Sequence, residues 1–235
     1  MVRTFPILPT ILALVCGGLS ARPAAAQTIP SPYRYIDTGQ EAGLFLGTMS
    51  SAAGRFDLGS KSGRLYGARY SIELGGPFSL EGVGRILSTT RDVRDPARDQ
   101  GDRTIGQADV RLASLDARVK FSLTGRRTWH RLSPYALAGG GISWDMAGAS
   151  ELDQQLLPDD RFSFGTSFLA LLGAGVRWLP VRSVELRADG GLELWQLDTP
   201  SGYLDTTRDL GFTSAPPQKE WVSGLQGSVG LALRW

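Results

Sequence analysis

The sequence predicts an all-β protein built as an eight-stranded antiparallel up-and-down β-barrel. Polar and apolar side chains alternate with a period of two in eight segments, the pattern of a strand with two different faces. The connections between these segments alternate between short and long, and helical periodicity is not sustained after residue 26. The stretch VELRADGGLELW, residues 184–195, is the clearest strand: its charged residues lie at odd positions and its even positions are apolar.

The first 26 residues are predicted to be a secretory signal peptide outside the fold. Arg3 supplies the positive start, an apolar run follows, and Ala24 and Ala26 are the small residues expected before a cleavage site. Cleavage would follow Ala26. An alternative is a lipoprotein signal at Cys16, although Val15 is bulky where such a site usually has a small residue.

The chain after the signal peptide suits one domain of about 209 residues. It contains no cysteine, so disulfides do not hold it together. Two arginines leave with the signal peptide, so 23 of the 25 basic residues remain against 23 acidic residues. This zero net charge gives no reason to expect nucleic acid as a partner. We read residues 27–38 as an extended periplasmic lead-in and residues 39–235 as the barrel domain.

Eight strands are predicted in chain order, joined by two kinds of connection. The strands are at 40–48, 62–73, 78–90, 107–123, 132–146, 162–178, 184–197 and 220–235. Connections after the second, fourth and sixth strands are short, at 74–77, 124–131 and 179–183. The others are long, at 49–61, 91–106, 147–161 and 198–219. Short periplasmic turns and long extracellular loops are typical of a transmembrane β-barrel of the outer membrane, and an even strand number places both termini in the periplasm.

Sorting the residues by parity gives each strand an apolar face and a charged or polar face. On the sixth strand the large residues of the apolar face are Phe164, Phe168, Leu172, Val176 and Trp178. The opposite faces carry acidic and basic side chains that we expect to form one network inside the barrel: Glu41, Arg69, Glu73, Glu81, Arg85, Asp116, Arg118, Lys120, Arg177, Glu185, Arg187, Asp189, Glu193 and Arg234. Asp145 shares their phase.

Two kinds of barrel produce this alternation. In a soluble, lipocalin-like barrel the apolar face would point inward, whereas in a membrane barrel it meets lipid and the charges fill the interior. Parity alone does not separate them. The aromatic residues favour the membrane, because rings near strand ends on the apolar face fit the girdles of a membrane barrel. These residues are Phe78, Trp144, Trp178, Trp221 and Trp235.

The final strand, GSVGLALRW, ends in an aromatic residue preceded by apolar residues at alternate positions: Val229, Leu231, Leu233 and Trp235. It resembles the C-terminal assembly signal of bacterial outer-membrane β-barrels, although Gly227 stands where an earlier aromatic is common. The segments SPYALAGGGISW (133–144) and LLGAGVRWLPVRSVELRADGG (171–191) are similar to strand–turn–strand segments of small OmpA-like barrels. The resemblance implies export, insertion by the barrel-assembly machinery and contact with outer-membrane lipid.

The chemistry of the interior leaves two hypotheses. An eight-stranded barrel is only wide enough to be filled by side chains, and desolvated charges must pair. We therefore favour a closed plug of ion pairs over a polar, porin-like conduit or proton path. No cofactor motif or zinc cluster is present, and the carboxylates of residues 151–160 lack the spacing of an EF-hand calcium loop.

The sequence predicts a non-enzymatic outer-membrane protein, structural or surface-interacting through its loops. An extracellular partner, if there is one, would contact loops 49–61, 91–106, 147–161 and 198–219. One alternative is an enzyme that modifies outer-membrane lipid, for which the single histidine, His130, lies at the wrong, periplasmic end. The other alternative is a soluble periplasmic barrel that binds an apolar ligand.

Overall fold

A computed structural model describes residues 31–36, 39–99, 101–205, 207–208 and 216–235. The predicted signal peptide, residues 1–26, lies outside the described residues. Within them the chain forms ten strands: β1 (Tyr33–Tyr35), β2 (Gln40–Ser51), β3 (Gly63–Gly75), β4 (Phe78–Arg94), β5 (Thr104–Ser122), β6 (Arg127–Trp129), β7 (Leu132–Asp145), β8 (Thr166–Val181), β9 (Val184–Asp198) and β10 (Lys219–Arg234).

Eight of these strands close into a barrel. Strands β2, β3, β4, β5, β7, β8, β9 and β10 each pair antiparallel with the next one along the chain. Strand β10 then pairs with β2, from Gly224 opposite Ser51 to Arg234 opposite Glu41. The prediction of an eight-stranded antiparallel up-and-down barrel is confirmed. Closure leaves no free strand edge among the barrel strands, which removes the main site of sheet-to-sheet aggregation.

The two ends of the barrel differ in the length of their connections. At the short-turn end the links are 76–77, 123–131 and 182–183, and at the long-loop end they are 52–62, 95–103, 146–165 and 199–218. The long loops contain two one-turn helices, α1 (Glu151–Gln154) and α2 (Ser201–Leu204), and a 3-10 turn at Pro158–Asp160. Among the described residues, no helix is long and apolar enough to cross a membrane.

Strand β8 begins four residues later than the predicted sixth strand. The prediction placed its start at residue 162, but the strand starts at Thr166 because Gly165 adopts φ +56° and breaks the extended backbone. A left-handed residue ends the period of two, so the parity of Phe164 does not continue into the strand.

A two-stranded addition at the short-turn end is not predicted by the sequence pattern. Strand β1 pairs with β6 through Tyr33 opposite Trp129 and Tyr35 opposite Arg127. The segment 124–131 was expected to be a short connection, and residues 27–38 an extended lead-in, of which the structure describes 31–36. Three residues of strand are too few for periodicity to indicate them.

Candidate functional site

The outward face of the barrel carries a continuous belt of apolar side chains. Leu44 on β2 is 70% exposed, Leu172 on β8 is 65% exposed and Leu225 on β10 is 66% exposed. The even positions of residues 184–194 point the same way, and Leu186, Leu192 and Leu194 are all exposed. Soluble monomeric proteins rarely expose a continuous apolar patch of this extent.

Aromatic rings lie at both ends of this belt. At the short-turn end the rings of Phe78 and Phe121 pack with centroids 5.2 Å apart, and those of Tyr70 and Trp235 with centroids 6.4 Å apart. At the long-loop end Trp221 is exposed and Trp144 is half-buried. Amphipathic rings at two levels are the arrangement expected where hydrocarbon meets headgroups.

Burial decides which face points inward, and one assignment was wrong. The charged face is buried and the apolar face is exposed, so the lipocalin-like alternative is excluded. Phe164 was predicted on the outward face of the sixth strand, but its side chain is buried and its ring packs edge-on against Phe162 at 4.9 Å. The left-handed Gly165 between Phe164 and β8 accounts for this difference.

The structure brings the fourteen charged residues of the expected network together. Twelve are buried, and the side chains of Glu73 and Asp189 are 18% and 10% exposed. Each of the fourteen has an ion-pair partner at 4.0 Å or closer. Asp145 is half-buried at the end of β7, where its carboxylate accepts a hydrogen bond from the Ala147 N–H instead.

Arg187 is the best-connected member of the network. Its guanidinium donates to both carboxylate oxygens of Glu81, to Asp189 Oδ1 and to the hydroxyl of Tyr135. Lys120 bridges Glu81 and Glu41, with its Nζ 3.2 Å from Glu81 Oε2. These groups come from five different strands, so the ion pairs tie together parts of the barrel wall that are not adjacent.

A second group of charges lies closer to the middle of the barrel. Arg85 on β4 contacts Glu193 Oε2 at 2.6 Å and Asp116 Oδ2 at 3.5 Å. It also donates to Ser114 and Gln226, at 2.8 Å and 2.6 Å. The neighbouring Asp116 is shared with Arg118.

Glu185 is held far more loosely than the other acids. Its side chain is fully buried, yet neither carboxylate oxygen accepts a hydrogen bond from the described residues. Its nearest cationic nitrogens are Arg234 Nε at 3.5 Å and Arg177 Nη1 at 4.0 Å. Buried carboxylates normally accept hydrogen bonds, so this acid is the weak point of the network.

Toward the long-loop end the interior changes from charged to apolar, which the sequence analysis missed. The inward phase continues along β2 with Phe45 and Met49, and along β9 with Trp195 and Leu197. The loops add further side chains to the same buried cluster: Phe56, Leu58, Phe162, Phe164 and Tyr203. The sequence does contain a signal for this apolar cluster, because the inward positions of the strands near the long loops are apolar residues.

A buried ion pair fixes the 146–165 loop above this cluster. The Arg91 guanidinium donates to both oxygens of Asp153 in α1, at 2.6 and 2.5 Å. Ser150 caps α1 and its hydroxyl also donates to Asp153, at 2.7 Å. Burial raises the pKa of the Asp153 carboxyl, but the hydrogen bonds from Arg91 and Ser150 outweigh it, so the pKa lies below its ordinary value.

The carboxylates considered for calcium have partners of their own. Asp160 pairs with Arg208 at 2.5 Å, and Asp159 accepts a hydrogen bond from Ser201. No group of three or more metal-ligating side chains occurs in the part of the chain that the structure describes. These acids join loops to one another.

His130 lies at the short-turn end in the turn between β6 and β7. It is exposed, and its ring contacts Trp129 edge-on, with centroids 4.8 Å apart. Among the described residues, no serine or aspartate side chain hydrogen-bonds to it. The described residues therefore do not supply His130 with the serine or aspartate partner of a catalytic dyad.

The residues of the expected assembly signal all face outward, three of them on β10 and Trp235 directly after it. Val229, Leu231, Leu233 and Trp235 are between 52% and 59% exposed. Trp235 exchanges backbone hydrogen bonds with Gln40, at 3.1 and 3.2 Å, next to the β10–β2 pairing that closes the barrel. The strand that carries the terminal aromatic is thus also the closing strand.

Comparison with known proteins gives similarity of structure only. No family model and no curated protein matches the sequence. The chain is similar to Neisserial surface protein A, with 14% identity and a TM-score of 0.49 over 87% of this chain and 98% of that one. It is similar to Ail, the attachment invasion locus protein of Yersinia pestis, with 17% identity and a TM-score of 0.38 over 84% and 99%. It is also similar to a major outer membrane protein of Thermus thermophilus, with 15% identity and a TM-score of 0.35 over 83% of this chain and 99% of that one. The barrel architecture follows from the strand pairing, independently of these similarities.

Proposed function

We propose that this chain is a non-enzymatic β-barrel protein of the bacterial outer membrane, structural or surface-interacting through its long loops. One observation carries the proposal: a closed barrel exposes an apolar belt between two levels of aromatic rings and buries its charges. In water this arrangement would expose apolar side chains to solvent. In a bilayer the belt meets hydrocarbon, and a closed barrel pairs the backbone of each strand with a neighbour on both sides within the belt.

The orientation follows from the connections. The long-loop end faces the outside and the short-turn end faces the periplasm, as is usual for barrels of this kind. Val229, Leu231, Leu233 and Trp235 act as the signal read by the barrel-assembly machinery. An extracellular partner would contact the four long loops. Some carboxylates and arginines of their described parts pair with one another, for example Asp160 with Arg208.

The interior is closed to solutes in this proposal. Ion pairs fill its short-turn half, and apolar side chains with three of the loops fill its long-loop half. A barrel of eight strands has little room beyond its side chains. We therefore expect no large, steady conductance in planar bilayers, and a stable ion-selective channel would contradict the closed interior.

Insertion is tested with purified protein and lipid vesicles. The folded barrel should require detergent, and unboiled samples should migrate differently from boiled ones on denaturing gels, because a closed barrel has no edge from which to unravel. Deletion of Trp235 should impair assembly in cells. A protein that stays monodisperse in buffer without detergent would overturn the membrane proposal.

A substitution in the belt sharpens this test. Leu192→Arg should destabilise the barrel in vesicles by about 2–4 kcal/mol, because Leu192 lies in an outward row with Leu172 and Leu225. In a barrel surrounded by water the same change at an exposed leucine should stay within about 0.5 kcal/mol. Thr90→Arg is the control, since Thr90 is opposite Asp109 beyond the belt and should tolerate a cation in either solvent.

A further inference from the structure

The short-turn end contains a cavity that the proposed function does not use. It has a volume of about 80 Å³ and lies between the β1–β6 pair and the β8–β9 turn. Four arginines line it: Arg34 from β1, Arg131 from the β6–β7 turn, Arg182 from the β8–β9 turn and Arg234 from β10.

Among the described residues, no acidic side chain compensates the charge on the exposed side of this arginine cavity. None of the described residues that line it is acidic. Arg234 is buried and pairs with Glu41, Glu73 and Glu185, but Arg34, Arg131 and Arg182 are exposed and form no ion pair with the described residues. The three exposed guanidinium groups have the same charge and no acidic partner among the described residues, so the cavity favours an anion. Guanidinium groups match the geometry of phosphate oxygens through paired N–H donors.

The backbone is strained where it presents one of these arginines. His130 and Arg131 adopt φ +49° and +68°, the left-handed pair required by a type I′ hairpin turn, where Asn-Gly is usual. The turn is pinned on both sides: the His130 N–H donates to Pro32, and the Leu179 N–H donates to Arg131. A strained backbone conformation persists only where neighbouring contacts hold it in place, and such conformations are frequent at ligand-binding sites.

The cavity also lies at the edge of the apolar belt. Trp129 next to the turn, Trp178 and Val181 are 51%, 43% and 55% exposed. In the proposed membrane orientation this is the level of the phosphates of the periplasmic leaflet. We propose that the arginine cavity binds a phosphate group. A phospholipid headgroup and free phosphate present the same chemistry, and only the lipid source rests on the proposed membrane function.

The experiment compares two double variants of the full chain, folded in neutral detergent. R131Q/R182Q removes two charges from the cavity. R64Q/R111Q removes two charges from outward arginines at the long-loop end, which are likewise exposed and without an ion pair among the described residues. Inorganic phosphate is titrated by calorimetry, and retention of phosphatidylglycerol against phosphatidylcholine is measured by native mass spectrometry. We expect R131Q/R182Q to weaken binding about tenfold or more, because charge-assisted hydrogen bonds are lost, and the control to leave it unchanged.

R131G separates binding from folding. Glycine adopts a left-handed φ without strain, which offsets the loss of the exposed hydrogen bond from Arg131 to the Pro180 carbonyl. This variant should therefore be about as stable as the wild type while binding phosphate more weakly. Phosphate binding without lipid retention identifies free phosphate as the source, and preferential retention of phosphatidylglycerol identifies the headgroup. Absence of binding by wild type, or equal loss in both double variants, overturns the proposal. Failure to insert into vesicles would overturn the membrane function alone, because the phosphate titration needs no bilayer.

Discussion

The two halves of the barrel interior are built from the same inward phase of the same strands, yet they are held together differently. Along β4 the inward side chains are Glu81 and Arg85 in the short-turn half, then Leu87 and Val93 toward the long loops. The short-turn half consists of ion pairs between strands, and the long-loop half is an apolar cluster completed by loop residues. An ion pair depends on every partner being present, whereas an apolar cluster loses contacts in proportion to what is removed.

The largest effect is expected at the centre of the charged half. Arg187→Ala leaves Glu81 with Lys120 and Asp189 with Arg69 as their remaining partners, so the network has one buried negative charge in excess. An uncompensated buried charge destabilises by about 3–5 kcal/mol. Urea unfolding from vesicles measures the change. Arg187→Lys keeps the charge but not the forked contacts, so it should recover only part of the loss. Equal stability of wild type and Arg187→Ala would show that the ion pairs do not hold this half.

Truncation in the apolar half should cost less and depend on cavity size. Leu169→Ala removes a fully buried side chain from the cluster and should destabilise by about 3 kcal/mol. Leu172→Ala is the control, since this leucine lies on the same strand but faces outward and is 65% exposed. If the two variants unfold at the same urea concentration, the long-loop half is not a packed core.

The difference between the halves shows how much of the barrel interior can be predicted from the sequence. Parity places Glu81, Arg85 and Arg187 inward because a strand alternates strictly between two faces. It does not tell which acid meets which base, because that depends on the register of eight strands around a closed barrel. Nor does it place Phe56 or Tyr203, because loops have no period and their side chains reach the cluster only through the path of the backbone. The short β1–β6 pair is missed for the same reason.

Acidic pH should weaken the ion pair between Arg91 and Asp153 and so loosen the 146–165 loop in the long-loop half. The pKa of Asp153 is lowered in the folded state, so its contribution to stability is complete above its ordinary value of 3.8 and is lost as pH falls below that value through the lowered pKa. Asp153→Asn leaves Arg91 without its counter-charge and should cost about 1–3 kcal/mol at neutral pH. Hydrogen exchange of the α1 amides, compared between the two proteins at the same pH, measures the effect of acid and the effect of the substitution. In Asp153→Asn the loss of protection at acidic pH should be absent. If wild-type protection is lost no faster than that of Asp153→Asn as pH falls, the ion pair between Arg91 and Asp153 does not fix the 146–165 loop.

The smallest effect is expected within the charged half itself, at Glu185. Parity gives Glu185 and Glu81 the same inward position, yet Glu81 accepts two hydrogen bonds from Arg187 while Glu185 accepts none from the described residues. Glu185→Gln keeps the shape and relieves the desolvation of a poorly paired carboxylate. The cations beside Glu185 retain other acids: Arg234 stays within 3.2 Å of Glu73, and Arg177 stays 3.9 Å from Glu41. The two changes largely cancel, so Glu185→Gln should alter the free energy of unfolding by about 1 kcal/mol or less, against about 3 kcal/mol for Glu81→Gln. Unfolding of both variants from the same vesicles tests the ranking. A larger loss at Glu185 would mean that its long contacts tighten in the membrane, and that stability in this half follows total charge rather than hydrogen-bond geometry.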